Sequence, residues 1–498
     1  PSTDRTSTFD TMLQYFHWPA FLLTSFLFMH MIAKHLKRSK SRLPPGPQEF
    51  PLIGNLHQLI GSALPHHALR DLAQKHGPIM HLKLGELTAI IISTPEAAEA
   101  ALKTHELNLA QRPILAAVKA MSYGGFGVVF SPYGKYWKQL RKICTMELLS
   151  AKRVRSFRSV REEEVSKFID SISSSSSSEN SVINLTEKIF HLASCMISRA
   201  MFGKECKDGN DFVMVVKGGS ELAGGFDVPE LFPSFKILQF FSSAKSTRRK
   251  LRLRQDKLLD NIISDHKEKR DMNHDMSGHD EEEDLVDVLL NLVESEDLEF
   301  PFTTSDIKAI ILDIFAAGTD APATTTEWAM AELMKNPKVM EKAQAEVRRR
   351  LKDTRKISEE DIQELNYLKC VVKETLRLHP PAPLMLRESI RICELGEYKI
   401  PQKARVIINL WAIGRDPPHW PDADCFRPER FDGSSIDYKG TNFQYIPFGA
   451  GRRMCPGIAF GTANVELQLA QLLYHFDWKL PHGMKSEELN MTEAFGAS

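Results

Sequence analysis

The sequence predicts a mainly α-helical protein with a small β-sheet region, and three observations lead there. Helical spacing of apolar residues recurs over eight segments: Glu96–Leu109, Tyr136–Ser150, Val154–Ile172, Leu185–Phe202, Ala244–Lys269, Asp306–Lys335, Pro337–Leu351 and Glu359–His379. Only two short runs, Met80–Ser93 and Ala404–Gly414, have the β-branched richness of strands. The 498 residues are 42% apolar and 26% charged, an ordinary globular composition with enough apolar surface for a sizeable core.

At the N-terminus, Pro19–Ala33 (PAFLLTSFLFMHMIA) holds no charged residue, and Lys34, Lys37, Arg38, Lys40 and Arg42 follow it. An apolar span of marginal transmembrane length with a basic cluster behind it predicts a single anchor whose C-terminal side lies in the cytosol. A buried core helix or a cleaved signal peptide would share the apolar span. The lack of an A-x-A-like cleavage site and the position of the basic cluster favour an uncleaved anchor. The prolines of Leu43–Leu56 (LPPGPQEFPLIGNL) cannot continue a helix and predict a stiff connector. The expected organisation is 1–42 as anchor and basic flank, 43–56 as hinge, and 57–498 as one globular body.

Lys+Arg and Asp+Glu both total 64, and no basic patch is interleaved with aromatics, which argues against a nucleic-acid partner. The seven cysteines are odd in number and contain no C-x-x-C pair, against a disulfide framework or a thiolate zinc cage. Two stretches read as surface loops, the serine run Ser173–Ser178 and the charge-dense Asp265–Asp284. The second holds His266, His274 and His279 among acids, but no spacing matches a metal-ligand set, so a solvated loop is expected.

Pro322 stands inside the longest helical stretch, in FAAGTDAPATT. Proline has no N–H for the carbonyl of Gly318, so the helix is expected to kink or widen there, at a cost of about 3 kcal/mol or more. Such strain persists where the opening has a use.

The strongest chemical signal is Ile446–Gly457, IPFGAGRRMCPG. A thiolate that holds haem iron needs its sulfur on a loop, with backbone N–H groups aimed at it. Gly449, Gly451 and Gly457 let the backbone approach Cys455, Phe448 can exclude water, and Arg453 can pair with a haem propionate. F-G-x-G-x-R-x-C-x-G resembles the haem-binding loop of the cytochrome P-450 superfamily of haem-thiolate monooxygenases. Other segments agree with it. Glu374 and Arg377 in KETLRLHPP, with Arg430 in FRPERF, resemble the family's Glu-Arg-Arg triad. Trp137 and Arg141 in YWKQLRKIC are similar to the helix that reaches a haem propionate, and Arg387 and Arg112 match further propionate positions. In detail the chain resembles plant microsomal members of the A-type clan, which oxidise specialised metabolites.

The resemblance implies a cytochrome P-450 fold, with haem b between the long central helix and the Cys455 loop. It implies O2 as co-substrate and NADPH acting through a reductase; no G-x-G-x-x-G phosphate loop is present. Lys135, Lys138, Lys142 and Arg452 fall on segments expected at the cysteine side, where an acidic reductase can dock. A functional monomer at the endoplasmic reticulum membrane, with its catalytic body in the cytosol, is expected.

The family's oxygen-face motif A-G-x-D/E-T reads here Ala317, Gly318, Thr319, Asp320, Ala321, followed by Pro322. Gly318 supplies room and Asp320 a proton-relay acid, but the usual threonine hydroxyl is absent. Delivery then falls to Asp320 with water, to Thr319 or Thr324, or to a substrate hydroxyl. By family position, substrate contacts come from the Ile114–Phe130 loop, Asp313, Ala316, Ala317, and the Ala382–Met385 segment with Leu384 and Met385. Phe126 and Phe495 are expected to wall an apolar pocket suited to a terpenoid or alkaloid. The chain given stops at AFGAS, short of the family's usual last strand. Hydroxylation is the leading expectation. Desaturation, ring coupling or rearrangement without oxygen insertion is the alternative that Ala321 raises, and a non-catalytic haem-binding protein is a third.

Overall fold

The computed structural model describes residues 42–59, 64–123, 127–175, 182–203, 209–224, 228–235, 244–274, 283–294, 298–352 and 357–493, together with Ser25 and Met29. The expected anchor, Phe126 and Phe495 lie outside the described residues. Among the described residues no helix is long and apolar enough to cross a membrane.

A four-stranded sheet has the order β1-β2-β6-β3, where β1 is Ile79–Leu84, β2 Leu87–Ile92, β3 Leu384–Glu388 and β6 Arg405–Asn409. Met80–Ser93 is thus a hairpin, turning at Gly85–Glu86, and β2 pairs in parallel with β6, more than 300 residues on. β4 (Cys393–Leu395) and β5 (Tyr398–Ile400) form a separate small hairpin. The sheet contributes to two apolar clusters and the helices bury larger ones.

The helices that position the site are α1 (Pro65–His76), α2 (Lys135–Ile143), α3 (Arg158–Ser175), α4 (Leu185–Phe202), α5 (Gly209–Gly224), α6 (Ala244–His274), α7 (Leu285–Glu294), α8 (Thr304–Lys335), α9 (Pro337–Arg350), α10 (Asn366–Leu378) and α11 (Ile458–His475). α8 packs along α4 and α11 through the middle of the molecule. It begins two residues before the expected Asp306. The backbone N–H and hydroxyl of Thr303 both donate to Asp306, which returns its own N–H to the Thr303 hydroxyl. This reciprocal cap satisfies donors that the first turn leaves open.

α8 continues as helix through Pro322 to Lys335, with α4 and α11 packed along it. Two expectations are corrected. Asp265–Asp284 is not wholly a loop: α6 carries through to His274, and His266 is buried on it. The His266 ring bonds the Ile262 carbonyl at 2.7 Å and Asp284 at 3.0 Å. With Asp287 these residues have a composition able to hold a cation, but both ring nitrogens are already committed. Lastly, Ser173–Ser175 belong to α3, where Ser173 and Ser174 donate to carbonyls four residues back.

Candidate active site

α8, the Cys455 loop, β3 and α11 enclose a cavity of about 340 Å³. One face of α8 lines it: Asp313, Ala317, Ala321 and Thr325 at four-residue spacing, with Ile314, Gly318 and Pro322 beside them. A Cβ on Gly318 would come within 2.8 Å of Ile197 Cδ1, so the missing side chain lets α4 close in on α8. The Thr325 hydroxyl donates to the Ala321 carbonyl at 2.8 Å.

Across the cavity, the Cys455 N–H donates to the Phe448 carbonyl at 3.0 Å, which turns the loop so that the thiol meets the cavity. The surface exposure of Cys455 is exposure to this cavity; protein encloses the rest of the side chain. Burial raises the thiol's pKa, opposed by the Gly457 N–H and by Arg141. Gly451 adopts φ +67°, and a Cβ there would press to 2.6 Å from the Leu102 carbonyl, so the loop needs glycine at that point. Phe448 lines the cavity and meets Tyr438 edge to face at 5.2 Å.

Three guanidiniums line the cavity, Arg112, Arg141 and Arg453, and Arg387 lies beside Arg112 and Arg453. Among the described residues none pairs with a carboxylate, which is unusual for buried arginine. Arg112 and Arg387 both donate to the Leu386 carbonyl, at 2.7 and 3.0 Å. Arg112 Nε and Arg387 Nη2 remain buried and without partners. Desolvation lowers Arg112 to about 10 and, with Arg112 and Arg141 near it, Arg453 to about 9. Arg387 is lowered furthest, first by burial, then by Arg112 and Arg453. Arg453 donates to the Ala110 and Ser131 carbonyls at 2.9 and 2.6 Å. An anionic group with several acceptor oxygens is what this set lacks.

Glu374, Arg377 and Arg430 meet in a buried cluster beneath. Arg377 spans both carboxylate oxygens at 2.8 Å, and Arg430 Nε reaches Oε1 at 3.0 Å. Arg377 also donates to the Gly414 and Ala423 carbonyls, tying α10 to the segment before the Cys455 loop.

Asp313 is the one carboxylate among the cavity's described lining residues. Desolvation pushes it up to about 7, against the Val129 and Val128 N–H groups that favour its charge. Ala382, Leu384 and Met385 line the cavity, whereas Ala316 sits against the apolar cluster beside it. Asp320 is half-buried, partnered, and outside the lining. Thr319 is buried with an unpartnered hydroxyl, and Thr324 is buried and partnered; neither lines the cavity. Lys135 pairs with Glu299 at 3.1 Å and Arg452 with Glu106 at 3.0 Å.

Several lining residues escaped sequence reasoning. Phe460, Thr462 and Val465 lie on α11, whose apolar periodicity after the Cys455 loop could have revealed it. Val372 and Leu376 share α10 with the recognised Glu374 and Arg377, on the face turned to the cavity.

A loop thiol facing a groove of small residues, beside unpaired buried arginines, fits a haem: the sulfur for its iron, the guanidiniums for its propionates. These features define a haem-thiolate pocket. A family profile described as Cytochrome P450 matches residues 44–497, and the chain belongs to that family. It is 53% identical over 478 residues to desmethyl-deoxy-podophyllotoxin synthase of Sinopodophyllum hexandrum, covering 96% of this chain and 93% of that one. It is 51% identical over 476 residues to a melianol synthase of Ailanthus altissima, covering 95% and 92%. To premnaspirodiene oxygenase of Hyoscyamus muticus it is 48% identical over 482 residues, covering 96% and 94%. A zebra fish cytochrome P450 solved with progesterone shares the fold, at a TM-score of 0.73 and 21% identity, covering 87% of this chain and 96% of that one. The chain is therefore an oxidoreductase of the haem-thiolate class, using O2 and NADPH-derived electrons from a reductase on a small molecule.

Proposed function

We propose that the protein hydroxylates an apolar plant specialised metabolite, a terpenoid or alkaloid scaffold, while anchored to the endoplasmic reticulum membrane as a monomer. The observation that carries this is the composition of the cavity: away from its arginines and cysteine, its wall is apolar except for Asp313 and two threonines. When bound, the haem supplies a thiolate-ligated iron that activates dioxygen. Cys455 supplies the ligand, and metal binding overrides the burial that keeps its thiol protonated. Arg112, Arg141, Arg387 and Arg453 would hold the propionates, with Arg453 stacked on the Trp137 ring. Glu374, Arg377 and Arg430 brace the loop's approach. Ala317, Gly318 and Ala321 leave space for small reactants, and Asp313, Ala317, Ala382, Leu384 and Met385 meet the substrate.

Proton delivery is where this chain departs from its family. Ala321 offers no hydroxyl, and Asp320 stands off the cavity, so Asp320 must act through water. Thr325 is the hydroxyl-bearing residue on the cavity face of α8, one turn past Ala321. The second reading, desaturation or coupling without oxygen insertion, rests on the missing hydroxyl at 321. That the premnaspirodiene relative is an oxygenase favours the first.

The test is a product assay with reductase, NADPH and isotopically heavy dioxygen across plant terpenoids, lignans and alkaloids. One heavy oxygen in the product supports hydroxylation. A product two hydrogens lighter and unlabelled would replace it with the second reading. No NADPH consumption and no product with any compound of the panel would leave a haem binder.

A further inference from the structure

Glu493 is the last described residue of the chain, in a stretch, 489–493, that forms no helix or strand. Its side chain is nevertheless held within the body of the protein. The side chain of Glu493 is 17% exposed, and four ring nitrogens surround its two oxygens. On Oε2, His66 of α1 sits at 2.6 Å and His67 at 3.7 Å. On Oε1, the Trp411 indole N–H donates at 3.1 Å, and His379 Nδ1 stands at 3.9 Å. Burial raises this carboxyl, but His379 and His66 outweigh it and hold it far below the usual carboxylate range, so the group is a charge.

The groups that grip Glu493 stand directly behind one wall of the cavity. His379 comes two residues before Pro381, and Pro381, Ala382, Leu384 and Met385 all line the cavity. Trp411 follows Leu410, which also lines it. The two wall segments are joined to each other: the Leu410 and Trp411 N–H groups share the Pro383 carbonyl, at 2.9 and 3.3 Å. Behind them, His379 stacks on Trp328 of α8 at 4.0 Å with an interplanar angle of 1°, and its Nε2 meets Glu332 of α8 at 2.8 Å. The Trp411 ring is covered by Arg415 at 3.9 Å and flanked by His67 at 4.2 Å. Glu493 therefore links α1, the turn after β6 and the segment from α10 to β3, and through His379 reaches α8.

We propose that Glu493 is a positioning residue for substrate. Its carboxylate locks the Pro381–Met385 and Leu410 wall against α8, and so sets how bulky a molecule the cavity accepts. The inference rests on the haem-enzyme reading of that cavity. It predicts a selective defect: losing the carboxylate loosens the wall more than the iron's surroundings, because among the described residues no hydrogen bond or ion pair joins Cys455, Arg112, Arg141, Arg387 or Arg453 to Glu493, His66, His67, His379 or Trp411.

The test uses two iron ligands on the haem-loaded full chain. Imidazole is small and senses the iron alone, whereas clotrimazole is bulky and must also fit the wall. Each is titrated by its absorption shift. For Glu493→Ala, clotrimazole binding weakens about tenfold while imidazole stays within about twofold, tenfold being about 1.4 kcal/mol. Glu493→Gln keeps one acceptor oxygen, for His66 or for Trp411 but not for both, and recovers part of the affinity. Trp411→Phe, which removes one donor and keeps the ring, falls between. Hydrogen exchange in Glu493→Ala should quicken at Ala382, Leu384, Met385 and residues 410–412 as well as around Glu493. Equal weakening of both ligands, no weakening of either, or faster exchange around Glu493 alone would overturn the proposal. If the wild type shifts with neither ligand, it is the haem reading that fails.

Discussion

Arg453 lies with its guanidinium 4.1 Å from the centre of the Trp137 ring, and both side chains donate to the Val128 carbonyl. One carbonyl thus ties the Cys455 loop to α2 and to the segment that roofs the cavity. A flat cation stacked on indole and forked toward backbone oxygens suits arginine and not lysine.

Arg453→Lys is therefore expected to keep the charge but lose the stacking and two of the donors. Haem content should fall by about half or more, a loss on the order of 1 kcal/mol or above. The measurement is haem per polypeptide after purification, with Arg453→Ala as the more severe case.

The buried triad makes a sharper stability prediction. Glu374→Gln leaves Arg377 and Arg430 as buried cations without an anion, a change that typically costs about 3–5 kcal/mol. Denaturant unfolding followed by tryptophan fluorescence should show that loss. An unchanged midpoint would mean that backbone carbonyls alone hold both arginines.

Gly318 and Ile197 form a testable pair. Gly318→Ala places a methyl 2.8 Å from Ile197 Cδ1, and overpacking of this kind costs about 1–3 kcal/mol, against a helix-propensity gain of about 0.5–1 kcal/mol. Ile197→Val removes the clashing atom, so the double variant should regain most of the loss. A thermodynamic cycle reads the coupling.

Asp313 predicts a pH dependence with a definite sign. Its pKa in the folded protein is raised to about 7, against about 3.9 in an unfolded chain. The fold thus favours the neutral acid. The stability from this group is fully present below pH 4 and is lost as pH rises toward and through 7. Asp313→Asn keeps an acceptor for the Val129 N–H and removes the titration. The variant should lose less stability than the wild type between pH 5.5 and 8.

Much of the active site was legible because its chemistry sits in short contiguous motifs. The Cys455 loop, the α10 pair Glu374 and Arg377, and the α8 stretch around Ala321 each declare themselves within a dozen residues. Their helical spacing even predicts a shared face, as Ala317 and Ala321 show. Pro322 shows the limit of local rules: they price a proline by the hydrogen bond it removes, and they do not see α4 and α11, which pack along α8 as the helix continues past it. His266 was misjudged for want of a partner eighteen residues away, Asp284, which no local pattern could supply.

By itself, then, the sequence determined the haem-thiolate class, the ligand cysteine, and the absence of a hydroxyl at 321, because each depends on residue identity at fixed short spacing. Only the tertiary structure decided which groups meet. It brought Arg112 and Arg387, 275 positions apart, to one carbonyl, put Thr325 on the cavity and Asp320 off it, and closed His66, Trp411 and His379 around Glu493. Burial and charge pairing between distant segments are properties of packing, and spacing along the chain does not encode them.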